Sequence, residues 1–463
     1  MRVLHVTAGT GSGGADAVAR RLVAGLRRQG QEAWLAAGRR GRHDTDVLAI
    51  PHDADAGWRG TGYRAAYDGL RAVAARWPGS GAGSAARLLR LATHPEARAA
   101  WRDGREDFDY PGTARLLALP PAAPDIVHLH NLHGGYFDLR ALGPLSARVP
   151  VCATLHDAWL LTGHCAHSFD CERWRTGCGH CPDLTIEPAL RRDGTAENWE
   201  RKRAIYATSR LHVSAPSQWL LDRVRQSMLA PAVASARVIP NGVDTAAFSP
   251  GDATRARATF GIPAHATVLM VTTGEPGAPW RDTALLGAAL ERLQAASPNR
   301  AFTLLATGRA ALTGLSPALT ARTVVTGHLA ADRMVDAFRA ADVYIHAARV
   351  DTFPTAVIEA LACGVPVVAT RTGGIPEQVL GLPADALQAT HSGSIPDATG
   401  VLVEPGDADA MAVATGALLA NPLLRRAMGA RATADARARF TIEAQVRACE
   451  TWYCEILSAR HAA

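Results

Sequence analysis

Two carboxylates eight positions apart, Asp351 and Glu359, border a loop that leads into a predicted helix in the stretch DTFPTAVIEALACGVPVVATRTGGIPE. Amide N–H groups at the start of a helix favour anions and could hold a diphosphate. Because Pro354 has no N–H, those amides would come from neighbours such as Phe353 and Thr355. The carboxylate of Glu359, further along the helix, could bind two adjacent hydroxyl groups such as those of a ribose. The same spacing also fits an ordinary capped helix with a solvent-facing acid, so both interpretations stay open.

A glycine-rich turn, GTGSGGA at residues 9–15, follows the first predicted strand and opens a helix. Gly9, Gly11 and Gly14 satisfy the G-x-G-x-x-G spacing, in which glycines let the backbone approach a phosphate or a sugar. No acidic residue closes a following short strand, as a dinucleotide site requires. The turn indicates either such a close approach or simply a tight connection between strand and helix.

A cysteine cluster, GHCAHSFDCERWRTGCGHCP, occupies residues 163–182 with the spacing C-x5-C-x6-C-x2-C. Only the last pair has the spacing typical of a structural zinc site. Three interpretations stay open: a zinc site in which a histidine could replace one thiolate, two disulfides, or unligated cysteines in a packed loop. The reducing cytoplasm expected for this chain disfavours disulfides. We therefore favour a structural zinc bound by Cys165, Cys171, Cys178 and Cys181.

Short β-rich segments alternate with amphipathic helical segments along the chain. Strands are predicted at RVLHVTA, EAWLAAG, DIVHLHN, VPVCATLHD, RLHVSAPS and ARVIPN, then at TVLMVTTG, FTLLATG, TVVTGHL, DVYIHAA, VPVVATRT and GVLVEP. Such alternation is typical of α/β folds in which helices cover both faces of a parallel sheet. The two series predict two Rossmann-like domains that face one another across a cleft, with ligands beyond the carboxyl ends of the strands.

The two series meet near PNGVDTAAFSPGD, so we expect a first domain at residues 1–240 and a second at 241–435. Residues of about 41–120 are less regular and are interpreted as an insertion without an assigned role. The tail, residues 436–463, is predicted to be an amphipathic helix that crosses back to the N-terminal domain.

The composition excludes several classes of protein. The chain has 463 residues, of which 48% are hydrophobic and 20% charged, as in folded domains. Its net charge of +6 is scattered, without a basic run or a recognition-helix pattern, so no nucleic-acid partner is expected. No segment approaches the ~18–20 apolar residues of a membrane span, and the N-terminus lacks a signal-peptide pattern. We expect a cytoplasmic location, with contact at a membrane surface left open.

Together these motifs resemble the retaining family 4 glycosyltransferases of the two-domain GT-B fold. The family signature of an acid, seven residues and a glutamate, then Cys-Gly-x-Pro-Val-Val-Ala and Gly-Gly-Ile-Pro-Glu, is similar to 351–359, 363–369 and 373–377 here. VIPNGVDTAAFSP, VSAPSQWL and the glycine turn extend the likeness over most of the chain. HLHNLHGGYF and the segment from TLHDAWLL through the cysteine cluster are similar to the exopolysaccharide, colanic-acid-type branch.

The resemblance implies a retaining hexosyltransferase-type enzyme. It would move a sugar from a GDP- or UDP-linked donor to a hydroxyl group of a glycan, a lipid-linked glycan or a small molecule, in polysaccharide assembly or secondary-metabolite tailoring. Family members bind the donor mainly in the second domain and the acceptor mainly in the first, and need no catalytic metal. Two alternatives stay open: a nucleotide-sugar epimerase on the same fold, and a binding protein with weak or lost turnover.

By the same resemblance, Glu359 matches the ribose-binding glutamate and Asp351 the acid that holds the hydroxyl groups of the donor sugar. His156, at the end of the CATLHD strand, matches the histidine at the reaction centre. Further donor contacts are expected from Gly13, Gly14, Thr352, Phe353 and Thr355.

Arg281 is the expected cation of the donor site. Family members usually carry Lys, often with Arg, after the first strand of the second domain, whereas GEPGAPWRDT here leaves Arg281 as the only candidate. Its guanidinium can bind a phosphate through two hydrogen bonds. Asp282, where Gly is usual, adds a negative charge nearby. Either the loop turns Asp282 away, or donor binding is weaker or differently arranged.

Three side chains are assigned to the acceptor. His130 and His133 are interpreted as polar contacts; a metal is disfavoured because no carboxylate adjoins His128 and His130, which share one face of their strand. Lys202, the single lysine of the chain, lies on the predicted helix NWERKRAIYA. It is either a solvated helix position or a contact with the acceptor.

Overall fold

The computed structural model describes residues 1–11, 14–41, 44–51, 62, 65–67, 69–70, 73, 81–298, 301–312, 314–383 and 397–461. The chain divides into two compact units. Unit 1 comprises Met1–Ala215, Leu220–Val238 and Ala448–Ala463, and unit 2 comprises Pro216–Trp219 and Ile239–Arg447.

Unit 1 contains a seven-stranded parallel sheet of order β3-β2-β1-β4-β5-β6-β7. Its strands are β1 (Arg2–Gly9), β2 (Glu32–Arg39), β3 (Val47–Ala49), β4 (Ile126–His130), β5 (Val151–Thr154), β6 (Leu211–Ala215) and β7 (Val233–Val238). Nearly continuous apolar runs form these strands because both faces are covered; Val3, Leu4 and Val6 of β1 are fully buried. The strand order reverses between β1 and β4, which is where ligands bind in such sheets.

The helices of the first half pack on this sheet. Val18, Leu22 and Leu26 recur at helical spacing on one buried face of the first helix. The helices are α1 (Gly14–Arg28), α2 (Ala82–Thr93), α3 (Pro95–Asp103), α4 (Leu142–Arg148), α5 (Thr195–Tyr206) and α6 (Gln218–Arg225). The described part of the predicted insertion at 41–120 therefore supplies β3, α2, α3 and a 3-10 segment, Pro111–Ala118.

Unit 2 contains a second seven-stranded parallel sheet, of order β10-β9-β8-β11-β12-β14-β13. Its strands are β8 (Val268–Gly274), β9 (Thr303–Gly308), β10 (Thr323–Gly327), β11 (Val343–His346), β12 (Val367–Thr370), β13 (Gly381–Pro383) and β14 (Gly400–Val403). Val268 and Met270 enter one apolar core, while Leu269 and Val271 enter another. Alternate side chains of one strand thus fill two cores, one on each face of the sheet.

The helices of unit 2 form the outer layers of these cores. They are α7 (Ala253–Ala258), α8 (Thr283–Ala296), α9 (Pro317–Thr320), α10 (Ala331–Ala340), α11 (Thr355–Ala362), α12 (Ile375–Gln378), α13 (Ala408–Ala420), α14 (Pro422–Arg439) and the first residues of α15 (Ile442–His461). The rest of α15 belongs to unit 1, where Tyr453 hydrogen-bonds to His128.

The predicted fold class is confirmed: two doubly wound parallel sheets, with a C-terminal helix that returns to the first unit. The predicted strands are all present. The short edge strands β3 and β13 were not predicted, because three-residue strands carry too little periodic pattern. No helix among the described residues is both long and apolar enough to span a membrane.

Candidate active site

The loop between β11 and α11 carries Asp351 and rests on two glycines. A Cβ on Gly373, whose φ is +57°, would lie 1.8 Å from the carbonyl oxygen of Asp351. A Cβ on Gly374 would lie 2.0 Å from the carbonyl oxygen of Thr352. The amide of Gly374 also donates to the carbonyl oxygen of Asp351 at 3.0 Å. The Gly-Gly-Ile-Pro-Glu motif therefore supports the acidic loop through backbone contacts that no larger residue permits.

Arg281 meets Asp351 in a small network at the end of β11. Its Nη1 donates to Nε2 of His346 at 2.6 Å and lies 3.5 Å from Oδ2 of Asp351. Nδ1 of His346 lies 2.9 Å from the hydroxyl of Tyr344. Burial, and then the charge of Arg281, lower the pKa of His346 to about 4, so the ring is neutral at pH 7.

One hydrogen-bond donor of Arg281 is not used within this network. Nε of Arg281 is buried and has no hydrogen-bond partner among the described residues. An unpaired buried donor costs about 1–3 kcal/mol, so the arrangement favours a ligand that brings an acceptor oxygen. The Arg281 side chain is 16% exposed and that of Asp351 equally so, which leaves room for that approach. His346 was not predicted; its place at the end of the DVYIHAA strand, just before the acidic loop, was the available signal.

Asp282 is turned toward helix α8. Its Oδ1 accepts a hydrogen bond from the amide of Leu285 at 2.9 Å, so Asp282 is the N-cap residue of α8. The carboxylate thus neutralises the free amides at the start of that helix. The first alternative, in which the loop turns Asp282 away, matches this geometry.

The other predicted donor contacts lie around the start of α11. Thr355 is the first residue of the helix, and Glu359, 8% exposed, follows one turn later. The ring of Phe353 packs edge-on against Phe440 at 5.7 Å between centroids, so only its backbone can reach a ligand. Thr352 is 6% exposed.

The glycine turn of unit 1 is partly described. Gly14 is exposed at the start of α1, whereas Gly13 lies outside the described residues. Asp16 accepts hydrogen bonds from the hydroxyl of Thr7 at 2.6 Å and from the amide of Gly9 at 3.2 Å. These bonds tie α1 to the end of β1 and explain a tight turn; Asp16 was not predicted.

Three histidines form a chain through the centre of unit 1. Nδ1 of His5 lies 3.1 Å from Nε2 of His130, and Nδ1 of His130 lies 3.0 Å from Nε2 of His156. His5 and His130 are fully buried, and burial lowers the pKa of His5 to about 3 and of His156 to about 4. All three rings are therefore neutral at pH 7.

The chain of rings determines where His156 carries its proton. Nε2 of His5 is buried without a hydrogen-bond partner among the described residues. A bare nitrogen is cheaper there than an unpaired N–H, so we infer that His5 is protonated on Nδ1 and donates to His130. His130 then donates to Nε2 of His156, and the proton of His156 lies on Nδ1. Full burial of His130 does not favour the direct acceptor contact assigned to it.

Nitrogens of His5, His128 and His130 lie within 4.8 Å of one another, a group that could bind a metal ion. The ring of His128 lies over that of His130, with centroids 4.4 Å apart and planes 27° apart. Lone pairs in nearly parallel rings do not converge on one ion. Nε2 of His128 is also engaged with the hydroxyl of Thr154 at 2.6 Å. Hydrogen bonding explains this cluster better than metal binding.

His133 forms an ion pair with Asp157. Its Nε2 lies 2.8 Å from Oδ2 of Asp157, and the His133 side chain remains 25% exposed. Burial alone would lower the pKa of His133, but the charge and hydrogen bond of Asp157 outweigh it and raise that pKa. Conversely, burial would raise the pKa of Asp157, but His133 and the amide of Trp159 bring it down to about 2. His133 is thus a partly exposed side chain whose Nε2 is engaged by Asp157, and its contact with an acceptor stays a prediction.

Lys202 is neither solvated nor exposed. Its ammonium group is fully buried, 3.0 Å from Oε2 of Glu106 and 3.0 Å from each of the carbonyl oxygens of Trp159 and Thr162. It also lies 3.7 Å from the centre of the Trp159 ring. The expectation of a solvated helix position is wrong, and this set of contacts occupies the ammonium group in place of an acceptor.

The cysteine loop is anchored by an aromatic side chain. Trp174 is 1% exposed, lies under the guanidinium of Arg223 at 4.5 Å, and accepts a hydrogen bond on its carbonyl oxygen from the indole of Trp199. All cysteines are free. Among the described residues, which include the whole loop, no three of its cysteine sulfurs lie within 4.8 Å of one another. Burial raises the pKa of Cys165 to about 12 and of Cys178 to about 11, and zinc binding stays a prediction.

A cavity of about 360 Å³ opens in unit 1 beside His133 and Trp159. Its walls come from α2 and α3, from the segment that follows β4 and from the residues after the cysteine loop. The volume falls in the ~300–1,000 Å³ range of small-molecule sites. The region at 41–120 that had no role in the sequence thus supplies much of the wall.

Family models match both halves of the chain. The model described as Glycosyltransferase Family 4 matches residues 12–247, and the model described as Glycosyl transferases group 1 matches residues 267–421. The first covers just over half of the chain. The chain belongs to glycosyltransferase family 4.

This family 4 chain is similar to curated proteins that are named as glycosyltransferases. It is 28% identical over 269 residues to the colanic acid biosynthesis glycosyl transferase WcaC of Escherichia coli, covering 54% of the chain and 61% of the relative. It is 33% identical over 218 residues to the D-inositol 3-phosphate glycosyltransferase of Segniliparus rotundus, covering 45% and 44%. The match thus spans about half of the length of these relatives.

The fold of the family 4 chain is similar to that of solved glycosyltransferases. Anabaena HepE, crystallised in complex with UDP, superposes with a TM-score of 0.61 at 17% identity, covering 99% of this chain and 100% of that one. The likeness establishes the GT-B fold.

Proposed function

We propose that this family 4 protein is a retaining glycosyltransferase that moves a sugar from a GDP- or UDP-linked donor to a hydroxyl group of a glycan, lipid-linked or small-molecule acceptor. The observation that carries the proposal is the network of Arg281, His346 and Asp351 beside the start of α11. The proposal is supported by the presence, in one region of unit 2, of a cation with an N–H that has no partner among the described residues, a carboxylate and the start of a helix. Relatives named as glycosyltransferases, and a fold neighbour crystallised with UDP, support the same chemistry.

In the proposed reaction the acceptor oxygen attacks the anomeric carbon on the face that the diphosphate leaves. The bond from that carbon to the phosphate oxygen breaks, and the proton of the acceptor passes to that oxygen. Arg281 and the amides of Phe353 and Thr355 would stabilise the departing charge, and Glu359 would bind the ribose. Asp351 would hold the hydroxyl groups of the sugar. Such a reaction relies on positioning and charge neutralisation and requires no catalytic metal.

The test is release of UDP or GDP from a panel of nucleotide sugars, with and without acceptors from cell extract, followed by NMR of the product. We expect acceptor-dependent release and a product with the anomeric configuration of the donor. An inverted product contradicts the retaining mechanism. Free nucleotide with an altered sugar and no acceptor identifies an epimerase, and binding without release identifies a protein that has lost turnover.

Variants test the assigned residues. Glu359→Ala should raise the donor KM, because the ribose loses its partner, and His156→Ala should mainly lower kcat. Glu443→Ala, an exposed acid near the start of α15, is the matched control. If both site variants transfer sugar like the wild type, the assignment is wrong.

We also propose a structural zinc on the cysteine loop. The sulfurs of Cys165, Cys171, Cys178 and Cys181 would have to draw together on the metal, which would keep them as thiolates. Metal analysis of the purified protein should find one zinc per chain, and Cys178→Ser should remove it. Absence of zinc, together with four reactive thiols in the loop after denaturation, contradicts the proposal.

A further inference from the structure

The cavity of unit 1 has an excess of positive charge. Its lining includes five arginines, Arg39, Arg87, Arg90, Arg105 and Arg191, against three acids, Glu106, Asp107 and Glu187. Two of the acids are already neutralised within the protein: Asp107 pairs with Arg90 at 2.8 Å, and Glu106 pairs with Lys202.

Two of these arginines form no ion pair with an acid of the described residues. Arg105 pairs with Asp103 at 3.0 Å, whereas Arg87 and Arg191 form no ion pair within the described part of the chain. An exposed arginine without a partner is common by itself. Here two such arginines line the same cavity although they are far apart in sequence: Arg87 lies in α2 and Arg191 follows the cysteine loop.

Arg191 is held in a geometry suited to an oxyanion. Its guanidinium lies 4.5 Å from the centre of the Trp101 ring. Stacking on an aromatic ring occupies the face of the guanidinium and leaves its N–H groups, which lie in the plane, for a carboxylate or phosphate. The half-buried Trp101 also brings an aromatic surface to the cavity, as do the buried Phe137 and Trp159. Such surfaces suit the C–H faces of a sugar ring.

From these features we propose that the cavity binds an acidic sugar or glycan, in which a carboxylate or phosphate group lies next to a sugar ring. The inference deepens the proposed function, on which it rests, by naming the acceptor class. Arg87 and Arg191 would bind the acidic group, and Trp101 and Trp159 would contact the ring. A neutral acceptor would leave both guanidinium groups without a partner in the site.

The test is calorimetric titration of the full chain with four probes: D-glucuronate, D-glucose 6-phosphate, D-glucose and inorganic phosphate. We expect glucuronate or glucose 6-phosphate to bind about tenfold more tightly than glucose, since an exposed charged contact is worth up to about 1 kcal/mol and two act together. The two acidic probes distinguish a carboxylate from a phosphate. Equal binding of glucose, or binding of inorganic phosphate as tight as that of glucose 6-phosphate, overturns the inference.

Variants locate the binding. Arg87→Gln with Arg191→Gln should weaken binding of the acidic probe about tenfold. The corresponding double lysine variant should retain part of the affinity through its charge alone, because lysine lacks the planar guanidinium that stacks on Trp101. Arg98→Gln, an exposed arginine of α3 that does not line the cavity, is the matched control and should bind like the wild type. Unchanged affinity in the double glutamine variant overturns the proposal.

A final titration separates this inference from the proposed function. UDP should bind equally to the wild type and to the double glutamine variant, because the donor is assigned to unit 2. Loss of UDP binding in that variant would make the cavity a nucleotide site and overturn the inference. Failure of acidic sugars to bind, beside normal release of UDP or GDP from nucleotide sugars, overturns the inference alone. Absence of nucleotide binding and release overturns the proposed function.

Discussion

Replacing Lys202 by methionine tests the buried ion pair that joins α5 to the wall of the cavity. The ammonium group contacts both carboxylate oxygens of Glu106, at 3.0 and 3.2 Å, and two backbone carbonyl oxygens. Methionine fills a similar volume but donates no hydrogen bond. Glu106, which is 7% exposed through its side chain, then keeps a buried charge without its cation.

The expected cost follows from that isolated charge. Removing one partner of a buried ion pair costs ~3–5 kcal/mol, so Lys202→Met should lower the free energy of unfolding of unit 1 by about 4 kcal/mol. For a unit of this size the melting temperature should fall by about 10 °C. Adding Glu106→Gln removes the stranded charge and should recover about half of the loss.

The loss should depend on pH in a definite direction. Burial raises the pKa of Glu106, although Lys202 opposes the rise. Without Lys202 that pKa rises further, so folded Glu106 binds a proton more readily than the unfolded chain does. The Lys202→Met variant therefore loses stability as the pH rises from the pKa of Glu106 in the unfolded chain toward its pKa in the folded chain. The difference in free energy of unfolding between the wild type and the variant should be smaller at pH 5 than at pH 8.

The assay is urea unfolding followed by circular dichroism and tryptophan fluorescence. Arg203→Met is the matched control: it is the next residue of α5, and its ion pair with Glu200 is exposed, so its midpoint should stay that of the wild type. A Lys202→Met protein within about 1 kcal/mol of the wild type, or a double variant no more stable than the single one, refutes the reasoning.

Three further predictions concern the site. Asp157→Asn should lower the pKa of His133, since the raising charge is lost; NMR titration of the His133 ring checks this, and an unchanged midpoint contradicts the ion pair. Gly374→Ala places a methyl group 2.0 Å from the carbonyl oxygen of Thr352 and should lower kcat/KM about a hundredfold through displacement of the acidic loop. Gly69→Ala, where a Cβ would meet no described atom within 4 Å, should leave kcat/KM unchanged, and equal kinetics of the two variants would contradict this packing. His5→Phe removes the side chain that donates to His130. Nitrogen-15 NMR should then show the proton of His156 shared between both ring nitrogens, and a spectrum like that of the wild type would contradict the inference that the histidine chain fixes the tautomer of His156.

Periodicity predicted the two sheets because parallel strands buried on both faces leave long apolar runs such as TVLMVTTG. Periodicity did not predict β3 and β13, because each has only three residues and is defined by its pairing with the neighbouring strand at the edge of the sheet. The role of the 41–120 region was also invisible, because a cavity wall is defined by contacts between segments distant in sequence. Arg87 and Arg191 are separated by about a hundred residues and line one space.

Motif spacing located the acidic loop but could not show which side chains face outward. His130 and Lys202 have residue types typical of ligand contacts, yet both are fully buried because partners distant in sequence satisfy them. For Asp282 the partner is close in sequence. Its carboxylate, which was expected to disfavour a diphosphate nearby, instead accepts a hydrogen bond from the amide of Leu285 and caps the helix. Capping of this kind can be found in a sequence when the helix start is known.

The neutral histidines in the centre of unit 1 affect how its enzymology must be interpreted. The pKa values of His5, His128, His130 and His156 all lie below the ordinary value, so each imidazole takes up a proton when the chain unfolds near pH 6. Each group costs about 1.4 kcal/mol of stability per pH unit below about 6.5, and four together approach the whole stability of an ordinary domain within one to two units. Activity that disappears between pH 6 and pH 5 would therefore measure the melting of a scaffold, and not the titration of a catalytic group.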